Sequence, residues 1–421
     1  MIKENEYKKR RQKIATTLKN NSIAVIFSSL PKIRSNDTHY PYRQNSNFYY
    51  LCGFREDSSA LVFIKNKDES KTILFVQKKD ASLELWDGKR LGVEAAKHIF
   101  DVDEVYAYDE FSQKIKEFFI DKTTLYTEFD INDERIASLI TKNIYTHYNI
   151  AHKIQKLRLI KSKSEINLIK KAINITKKAH HSAIKFDKTG RYEYELQAKI
   201  EHTFKKNGAY SDAYTTIVAS GNNANTLHYI QNSKKMKGTE LVLIDAGCEY
   251  DYYASDITRT IPVGKKFTKA QKEIYNLVLN TQLKIIDMIK PKVKRSSLQE
   301  KAEILLVRGL KSLGILRGKT KEIIEQKKHK KYYPHGIGHW MGLDVHDAAP
   351  YRYKNKEEIA LKRGMVLTVE PGIYIDKNDK SVPKRYRGIG IRIEDNIVVT
   401  KKGYKNLSSK IAKSIEEIEA L

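Results

Sequence analysis

The stretch 241–260, LVLIDAGCEYDYYASDITRT, decides the fold of the carboxyl-terminal part of this chain. Residues 241–244 form an apolar run and residues 257–261 are mostly β-branched, so both segments favour β-strands. The polar segment between them is short enough to be a hairpin turn. We therefore predict an antiparallel strand pair whose turn is centred on Tyr250 and Asp251.

This pairing would place Asp245 directly opposite Asp256, with the two Cβ atoms roughly 4.5–5.5 Å apart. Buried carboxylates that close repel each other, and the pKa of one of them rises unless a cation lies between them. Hard divalent cations prefer oxygen ligands, and two metal ions in a hydrolytic site lie about 3.5–4 Å apart. The pair thus predicts half of a two-metal site, although aspartates in such a segment more often serve the turn itself.

Support comes from a histidine-rich segment, residues 333–347, with the sequence YPHGIGHWMGLDVHD. His335 and His339 have the four-residue spacing of a zinc-binding helix, but three glycines and a proline oppose a helix here. The glycines instead indicate backbone packed closely against a neighbour, with His335, His339 and His346 projecting from irregular chain. His228, which follows a polar loop, is a weak candidate by itself.

Two glutamates complete the set of candidate ligands. Glu370 and Glu394 each lie at the end of a predicted strand, and Arg392 precedes Glu394 on the same strand face. One glutamate at a strand end usually faces solvent. Two of them, beside Asp245, Asp256 and the histidines, indicate five convergent ligands of which one is a nitrogen. A carboxylate-rich site with a single imidazole suits Mn²⁺ or a similar divalent metal better than a structural zinc ion.

Composition limits the class of protein. With 421 residues, 40% hydrophobic and 31% charged, the chain is long enough for a large core and two domains and is typical of soluble globular proteins. It has no apolar run of membrane-spanning length, and no apolar segment follows the basic N-terminus as in a secretory signal. We expect a cytoplasmic protein without a membrane partner.

The net charge of +27 is large, but the lysines are scattered, and clusters such as residues 327–331 are short. We therefore expect solvated lysines and no nucleic-acid partner. The two cysteines, Cys52 and Cys248, lie far apart in the sequence. This excludes a disulfide framework and a cysteine zinc site.

Strand and helix patterns alternate in the first part of the chain, which predicts an α/β domain with a mixed sheet. The predicted strands are residues 22–27, 60–64 and 72–76, and the predicted helices are residues 7–20 and 111–121. The chain then becomes basic and polar, and Ser162 or Ser164 can cap the next helix. We place the boundary there and predict domains 1–160 and 161–421.

These motifs, in this order, resemble the aminopeptidase P family of pita-bread metallopeptidases. The matching segments are DAG at 245–247, SDITRT at 255–260, HGIGHWMGLDVHD at 335–347, TVEPG at 368–372, GIRIED at 390–395 and, in the first domain, YRQNSNFYYLCGF at 42–54 and WDGKRLG at 86–92. The match covers nearly the whole chain. It implies an α/β N-terminal domain of the ribonuclease H-like, creatinase N-terminal type, followed by an α+β pita-bread catalytic domain.

The resemblance also implies a ligand set. Carried over position by position, it implies that two Mn²⁺ ions are bound, with Asp256 and Glu394 bridging them. The five ligands would be Asp245, Asp256, His339, Glu370 and Glu394. Other divalent metals would fit the same set.

Roles for the remaining residues follow from the same resemblance. His228 and His346 would hold the substrate and the tetrahedral intermediate, and Arg392 would support the metal ligands. His335 matches a histidine near the substrate site. Trp86 matches a first-domain aromatic that, in related oligomers, approaches the active site of a neighbouring subunit.

The implied activity is release of the N-terminal residue from peptides with proline at position two, by a hydroxide that bridges two metal ions. Glu370 would carry a proton to the leaving nitrogen. Peptides of this kind would be the partners, and a dimer or tetramer of the chain is expected.

Three alternatives stay open. An Xaa-Pro dipeptidase of the same fold would differ in loops that set substrate length. A binding module of this fold would have lost its metal ligands, whereas all five are present here, and the charge of +27 favours it only weakly. Creatine-type hydrolases share the fold without metal and would also lack the ligand set.

Overall fold

The computed structural model describes residues 2–67, 69–129, 133–140 and 144–421. The chain forms two compact units, Met1–Leu157 and Arg158–Leu421. The domain boundary that the sequence indicates, at residue 160, stays a prediction. None of the helices in the described part of the chain combines the length and the apolar character that a membrane span requires.

The first unit is built on a mixed sheet. Its elements in chain order are α1 Glu4–Ala15, β1 Ser22–Phe27, β2 Ile33–Ser35, β3 Thr38–His39, α2 Ser46–Cys52, β4 Ala60–Lys65, β5 Ser70–Val76, α3 Ala81–Asp87, α4 Gly92–Ile99, β6 Glu104–Ala107, α5 Phe111–Phe118, β7 Thr124–Thr127, α6 Glu134–Ala137, β8 Thr146–Asn149 and α7 Ala151–Arg158. Six strands form one sheet in the order β6-β5-β4-β1-β7-β8. The pairs β1–β4 and β4–β5 are antiparallel, whereas β5–β6, β1–β7 and β7–β8 are parallel, which confirms the predicted mixed sheet.

Burial explains the sequence of the central strand. All six residues of β1 are buried, so this strand is covered on both faces and reads as an unbroken apolar run. Ile23 and Val25 pack with Phe75 and Phe111 in the core. The aromatic run around Phe48 also packs inward, because five of the seven α2 side chains are buried apolar ones.

The second unit begins with two long helices. Its elements in chain order are α8 Lys163–Lys185, α9 Glu193–Lys206, β9 Ser211–Asp212, β10 Ile217–Ser220, β11 Leu241–Asp245, β12 Cys248–Tyr250, β13 Tyr253–Ala254, β14 Thr258–Pro262, α10 Lys269–Asp287, α11 Arg295–Ser312, α12 Thr320–Glu325, β15 Val366–Val369, β16 Gly372–Tyr374, β17 Gly390–Arg392, β18 Asp395–Val399, β19 Tyr404–Asn406 and α13 Ile415–Glu419. Of the two serines predicted as a cap, Ser162 caps α8 in a reciprocal capping box with Glu165.

The strands of this unit form three three-stranded sheets and one two-stranded ribbon. The strand orders are β10-β11-β14, β13-β12-β9, β15-β18-β19 and β16-β17. Helices α8, α9, α10 and α11 bury apolar side chains against these strands. The strands are short, so several of them end close to one another, and the candidate ligands lie at those ends.

The predicted strand pair around the opening stretch forms, but its turn lies one residue later than predicted. Asp245 in β11 pairs with Thr258 in β14. The turn residues are Asp251 and Tyr252, both with positive φ, rather than Tyr250 and Asp251. A turn with two left-handed residues matches the twist of the flanking strands, and aspartate tolerates that conformation. The prediction that Asp245 lies directly opposite Asp256 is therefore wrong.

The two aspartates nevertheless share a cavity. Moving the turn by one residue moves the register by two, and side chains two apart along a strand point to the same face. Asp256 thus lies diagonally across from Asp245, beside Thr258. Gly247 permits this approach, because a Cβ atom on it would lie 1.8 Å from the carbonyl oxygen of Ser255.

A buried arginine joins two of the sheets. The side chain of Arg259, in β14, is fully buried and donates hydrogen bonds from all five of its N–H groups. The acceptors are the carbonyl oxygens of Thr258, Glu394, Ile411 and Ala412 and the Oδ1 atom of Asp395.

Asp395, the first residue of β18, is the counter-charge. Its Oδ1 lies 2.8 Å from Arg259 Nη2, and its Oδ2 lies 2.6 Å from Lys413 Nζ. Ser408 and Asn406 donate further hydrogen bonds to the same carboxylate. Burial alone would raise its pKa, but the two cations outweigh burial and hold the pKa well below its usual range.

We expect Asp395→Asn to lower the free energy of unfolding of the metal-free protein by about 3–5 kcal/mol, because it leaves the buried Arg259 and the partly buried Lys413 without their counter-charge. Urea denaturation with chelator present measures this change. Glu325→Gln is the control, since Glu325 forms only an exposed pair with Lys321 at 3.8 Å. Equal stability of Asp395→Asn and the control would contradict the prediction.

Candidate metal centre

A cavity of about 370 Å³ lies in the second unit. All nine site residues that the sequence predicts in this unit line it: His228, Asp245, Asp256, His335, His339, His346, Glu370, Arg392 and Glu394. Trp86, the remaining predicted residue, lies on α3 in the first unit with 83% of its surface exposed. The role predicted for Trp86 stays a prediction.

Strand ends bring the four acidic side chains to one place. Asp245 is the last residue of β11, and Asp256 lies two residues before the start of β14. Glu370 directly follows β15, and Glu394 directly precedes β18. These two strands pair with each other, with Val369 opposite Asp395. The Glu394 N–H donates to the carbonyl oxygen of Thr258, which fixes the two strand pairs to each other.

Histidine 339 reaches the carboxylates from the irregular segment that the glycines predicted. Its backbone is held by reciprocal hydrogen bonds with Thr368, at 3.0 Å each. Gly338 allows this approach, because a Cβ atom there would lie 2.1 Å from the Thr368 carbonyl oxygen. The ring Nδ1 lies 3.0 Å from the Trp340 carbonyl oxygen, so Nδ1 donates to the backbone and Nε2 is the candidate ligand atom.

The candidate ligand nitrogen points at the carboxylates. His339 Nε2 lies 3.2 Å from Asp256 Oδ2 and 3.6 Å from Glu370 Oε1. Ligand atoms of Asp256, His339 and Glu394 all lie within 4.8 Å of one another. These distances fit a group that can close around a divalent cation.

One oxygen of Glu394 supports this interpretation independently. Its Oε2 accepts a hydrogen bond from the Thr258 hydroxyl at 2.8 Å. Its Oε1 is buried and has no hydrogen-bond partner among the described residues. A buried carboxylate oxygen without a donor is costly unless a cation lies against it. The donor set therefore fits a divalent metal ion.

The pKa shifts of the carboxyl groups also favour a bound cation. Burial, together with repulsion from Asp256 and Glu370, raises the pKa of Glu394 well above its usual range. Burial also raises the pKa of Glu370 to about 7, and it raises the pKa of Asp245 against the opposing effect of Arg392.

Asp256 and His339 behave differently, since they form a pair. Burial acts to raise the pKa of Asp256, but the hydrogen bond from His339 outweighs burial and lowers it. The same bond outweighs burial at His339 and raises the pKa of the imidazole to about 9. A bound cation would replace this proton between the two ligands.

A second layer of hydrogen bonds orients the ligands. Arg392 donates from Nη2 to Asp245 Oδ2 at 2.7 Å and from Nε to the Thr258 hydroxyl at 3.2 Å. Tyr214 donates to Asp245 Oδ1 at 2.6 Å. Arg392 Nη1 donates to the Tyr374 hydroxyl at 2.9 Å. The Asp245 carboxylate thus has both oxygens held by side chains from outside the set of candidate ligands.

Sequence reasoning missed Tyr214, Thr258 and Tyr374 as members of this layer. Thr258 lies within a quoted motif, but its hydroxyl carries no spacing signal. Tyr214 and Tyr374 are single tyrosines among the 26 in the chain, so nothing in the sequence distinguishes them. Their roles follow only from where the backbone brings them.

The other histidines lie around the ligands. His335 Nε2 lies 2.8 Å from the Tyr374 hydroxyl, which joins it to the Arg392 layer. The ring centroid of His346 lies 4.2 Å from that of His339. Partial desolvation and the nearby His339 cation lower the pKa of His346, so its imidazole is neutral at neutral pH. His228 is exposed at the cavity wall.

Comparison with known proteins assigns the chain to a family. Residues 167–401 match the model of metallopeptidase family M24, and residues 7–126 match the model of the aminopeptidase P N-terminal domain. The chain belongs to metallopeptidase family M24. The resemblance and the two-domain fold predicted from the sequence are thereby confirmed.

Curated relatives agree over the full length. The Xaa-Pro aminopeptidase of Haemophilus influenzae is 40% identical over 422 residues, which cover 100% of this chain and 97% of the relative. The Xaa-Pro aminopeptidase of Escherichia coli is 41% identical, with 100% and 98% covered. Human Xaa-Pro aminopeptidase 3 is 35% identical, with 99% and 85% covered.

Solved structures of the E. coli aminopeptidase P match with a TM-score of 0.95. The zinc-substituted enzyme in complex with product is 40% identical, and the enzyme with the inhibitor Pro-Leu is 39% identical. Each comparison covers 100% of this chain and 98% of the solved chain.

We expect Glu394→Gln to separate metal binding from folding. The amide removes one negative charge and can donate from the position of the unpartnered oxygen, so the metal-free variant should unfold at a temperature no lower than wild type. At a Mn²⁺ concentration 100 times the dissociation constant, wild type should gain about 2.7 kcal/mol, and the variant should lose most of this gain. Calorimetry with chelator and with Mn²⁺ measures both.

Glu300→Gln, on the exposed face of α11, is the matched control and should keep the full gain from Mn²⁺. An equal gain in Glu394→Gln and Glu300→Gln would show that Glu394 is not a ligand.

Proposed function

We propose that this chain is a metal-dependent Xaa-Pro aminopeptidase, which releases the N-terminal residue from peptides with proline at position two. The observation that carries the proposal is the cavity of the M24 unit, which four carboxylates and one imidazole line, with ligand atoms of Asp256, His339 and Glu394 within 4.8 Å of one another and a Glu394 oxygen that has no partner among the described residues. The shared name of the full-length relatives supports the same substrate class.

The proposed metal ligands are the five that the sequence indicates: Asp245, Asp256, His339, Glu370 and Glu394. Together they would hold the divalent metal, and Asp256 and Glu394 are the most deeply buried of the four carboxylates. Oxygen-rich ligation with one imidazole favours Mn²⁺, whereas a zinc-substituted form is known for the E. coli relative. Ions bound there would supply Lewis acidity and a water molecule of lowered pKa.

The residues around the metal ligands would bind the substrate, transfer the proton and orient the ligands. His228 and His346 would donate hydrogen bonds to the peptide carbonyl and to the oxyanion that develops from it. Glu370 would carry the proton to the leaving nitrogen, and Arg392 would hold Asp245 in its ligand orientation. His335, through Tyr374, would fix the far end of the Arg392 side chain.

Recognition of proline would depend on shape. A peptide nitrogen within a proline ring has no hydrogen to donate, so a site selective for it cannot use that donor. The apolar side chains of Ile217, Leu227, Ile230 and Val345 line the same cavity. They offer a surface for the ring and for the neighbouring side chain.

The assembly and location of the enzyme are further proposals. Trp86 is exposed on α3 and is available to a neighbouring subunit, in line with the predicted dimer or tetramer. Light scattering of the wild-type chain and of Trp86→Ala would test this. The cytoplasmic location stays a prediction.

Peptide hydrolysis tests the substrate class directly. Chelated protein reconstituted with Mn²⁺ should cleave an Xaa-Pro-Xaa tripeptide after its first residue and should leave an Xaa-Pro dipeptide largely intact. Preference for the dipeptide would assign a prolidase activity instead. Absence of cleavage of either peptide by the folded, metal-loaded chain would overturn the proposal. Pro-Leu is described as an inhibitor of the E. coli relative, and it should also inhibit this reaction.

Single substitutions test the proposed roles. We expect His346→Ala to lower kcat/KM by about 10²–10³-fold, because a donor to the developing oxyanion is lost. The bound metal content should stay unchanged. His202→Ala, an exposed histidine on α9, is the control and should leave kcat/KM unchanged. Loss of metal from His346→Ala would instead assign His346 to the ligand set.

A further inference from the structure

A buried carboxylate outside the metal centre holds the segment that carries His228. Glu193 is the first residue of α9, and its surface is 0% exposed. Its carboxylate accepts hydrogen bonds from five donor groups, one of which, Asn223 Nδ2, lies 3.5 Å from Oε2 as well as 3.1 Å from Oε1. The donors to Oε1 are Ser220 N at 2.7 Å, Ser220 Oγ at 2.7 Å and Asn223 Nδ2 at 3.1 Å, and the donors to Oε2 are Tyr229 Oη at 2.7 Å and Lys234 N at 2.9 Å.

All five donors belong to residues 220–234, named here the His228 loop. Ser220 begins this loop and Lys234 ends it, and their backbone N–H groups bind opposite oxygens of the one carboxylate. A single side chain therefore closes the loop at its base. Tyr229, the residue directly after His228, reaches the same carboxylate from the middle of the loop.

The loop tip also lies in the cavity. His228 and its neighbours Leu227 and Ile230 line the cavity wall. Leu227 and Tyr229 pack against an apolar cluster that includes Leu243 and Ile217. The position of the His228 ring in the cavity thus depends on the packing of Leu227 and Tyr229 and on the hydrogen bond from Tyr229 to Glu193.

The charge of Glu193 argues against a mere cap of α9. No lysine, arginine or histidine of the described chain lies within ion-pair distance of it, so its burial is offset by hydrogen bonds and by the N-terminal end of the helix dipole. A buried charge satisfied entirely by donors from one loop fixes the geometry of that loop, since each donor would be left unpaired if the loop moved.

We propose that Glu193 is a positioning residue for His228. It does not line the cavity, and it acts by holding the His228 loop in the conformation that presents the imidazole to the substrate. The inference rests on the proposed role of His228 in holding the peptide.

Glu193→Gln in the metal-loaded, full-length chain tests the inference. Glutamine keeps the shape of the side chain and one acceptor oxygen, but its amide nitrogen cannot accept the bonds from Tyr229 and Lys234. We expect kcat/KM for an Xaa-Pro-Xaa tripeptide to fall by about 10- to 100-fold, in line with other residues that orient a functional group. The dissociation constant of Pro-Leu and the separate values of kcat and KM should change in the same sense as in His228→Ala.

A double-mutant cycle separates positioning from general damage. If Glu193 acts through His228, then Glu193→Gln should have less than about a twofold further effect in the His228→Ala background, because coupled residues are not additive. Metal content should stay near that of Glu201→Gln, and because the unpaired donors lower the unfolding temperature of Glu193→Gln, the assays are run well below the unfolding temperatures of both variants. Glu201→Gln is the control on the same helix, since Glu201 accepts a hydrogen bond from Gln197.

Tyr229→Phe is a milder second variant, which removes one of the five donor groups and keeps the ring. It should show a smaller loss with the same dependence on His228, and it decides the question if Glu193→Gln fails to fold. Wild-type kcat/KM in Glu193→Gln beside an impaired His228→Ala would overturn the inference, as would losses that multiply in the double variant.

Failure of the proposed function is distinguishable from failure of this inference. If the wild-type chain shows no metal-dependent cleavage, the proposed function itself is wrong. If cleavage is intact but His228→Ala equals wild type, the role of His228 is wrong and the inference about Glu193 is overturned with it.

Discussion

The ion pair between Arg259 and Asp395 joins the sheet of β14 to the sheet of β18. Each residue lies beside a segment that carries candidate ligands: Asp256 precedes β14, and Glu394 is the neighbour of Asp395. All five N–H groups of the guanidinium donate to acceptors on the two segments and on residues 411–412. The segments therefore cannot shift relative to each other without leaving a buried charge unpaired. This contact therefore fixes the segment of Asp256 relative to the segment of Glu394.

With the strands fixed, the four carboxylates have no way to separate. Burial raises the pKa of Glu394 and of Glu370, and the ion pair of Arg392 is with a third carboxylate, that of Asp245. The buried carboxylates therefore lack enough positive charge nearby, which favours binding of a metal cation, as expected in a metallopeptidase family. The hydroxyl of Thr258 and that of Tyr214 set the angles at which the oxygens face this point.

Local patterns predicted much of this arrangement. The strands, the long helices, the irregular histidine segment and nine cavity residues could be predicted because apolar runs, glycines and motif order are properties of neighbouring residues. The turn at Asp251 and Tyr252 could not, since a shift of one residue leaves the apolar pattern of both strands unchanged. Tyr214, Tyr374 and Glu193 were missed because their partners lie far away in the sequence.

The sequence alone predicted the two-domain architecture, the candidate ligands and the family, since these depend on residue type and order. Packing of the chain settled three other features: which oxygen of Glu394 has no donor among the described residues, how Arg392 is shared between Asp245 and Thr258, and how Glu193 closes the His228 loop. Those features depend on distances between chain segments, and such distances are fixed only when the segments pack together and their buried polar groups must find partners.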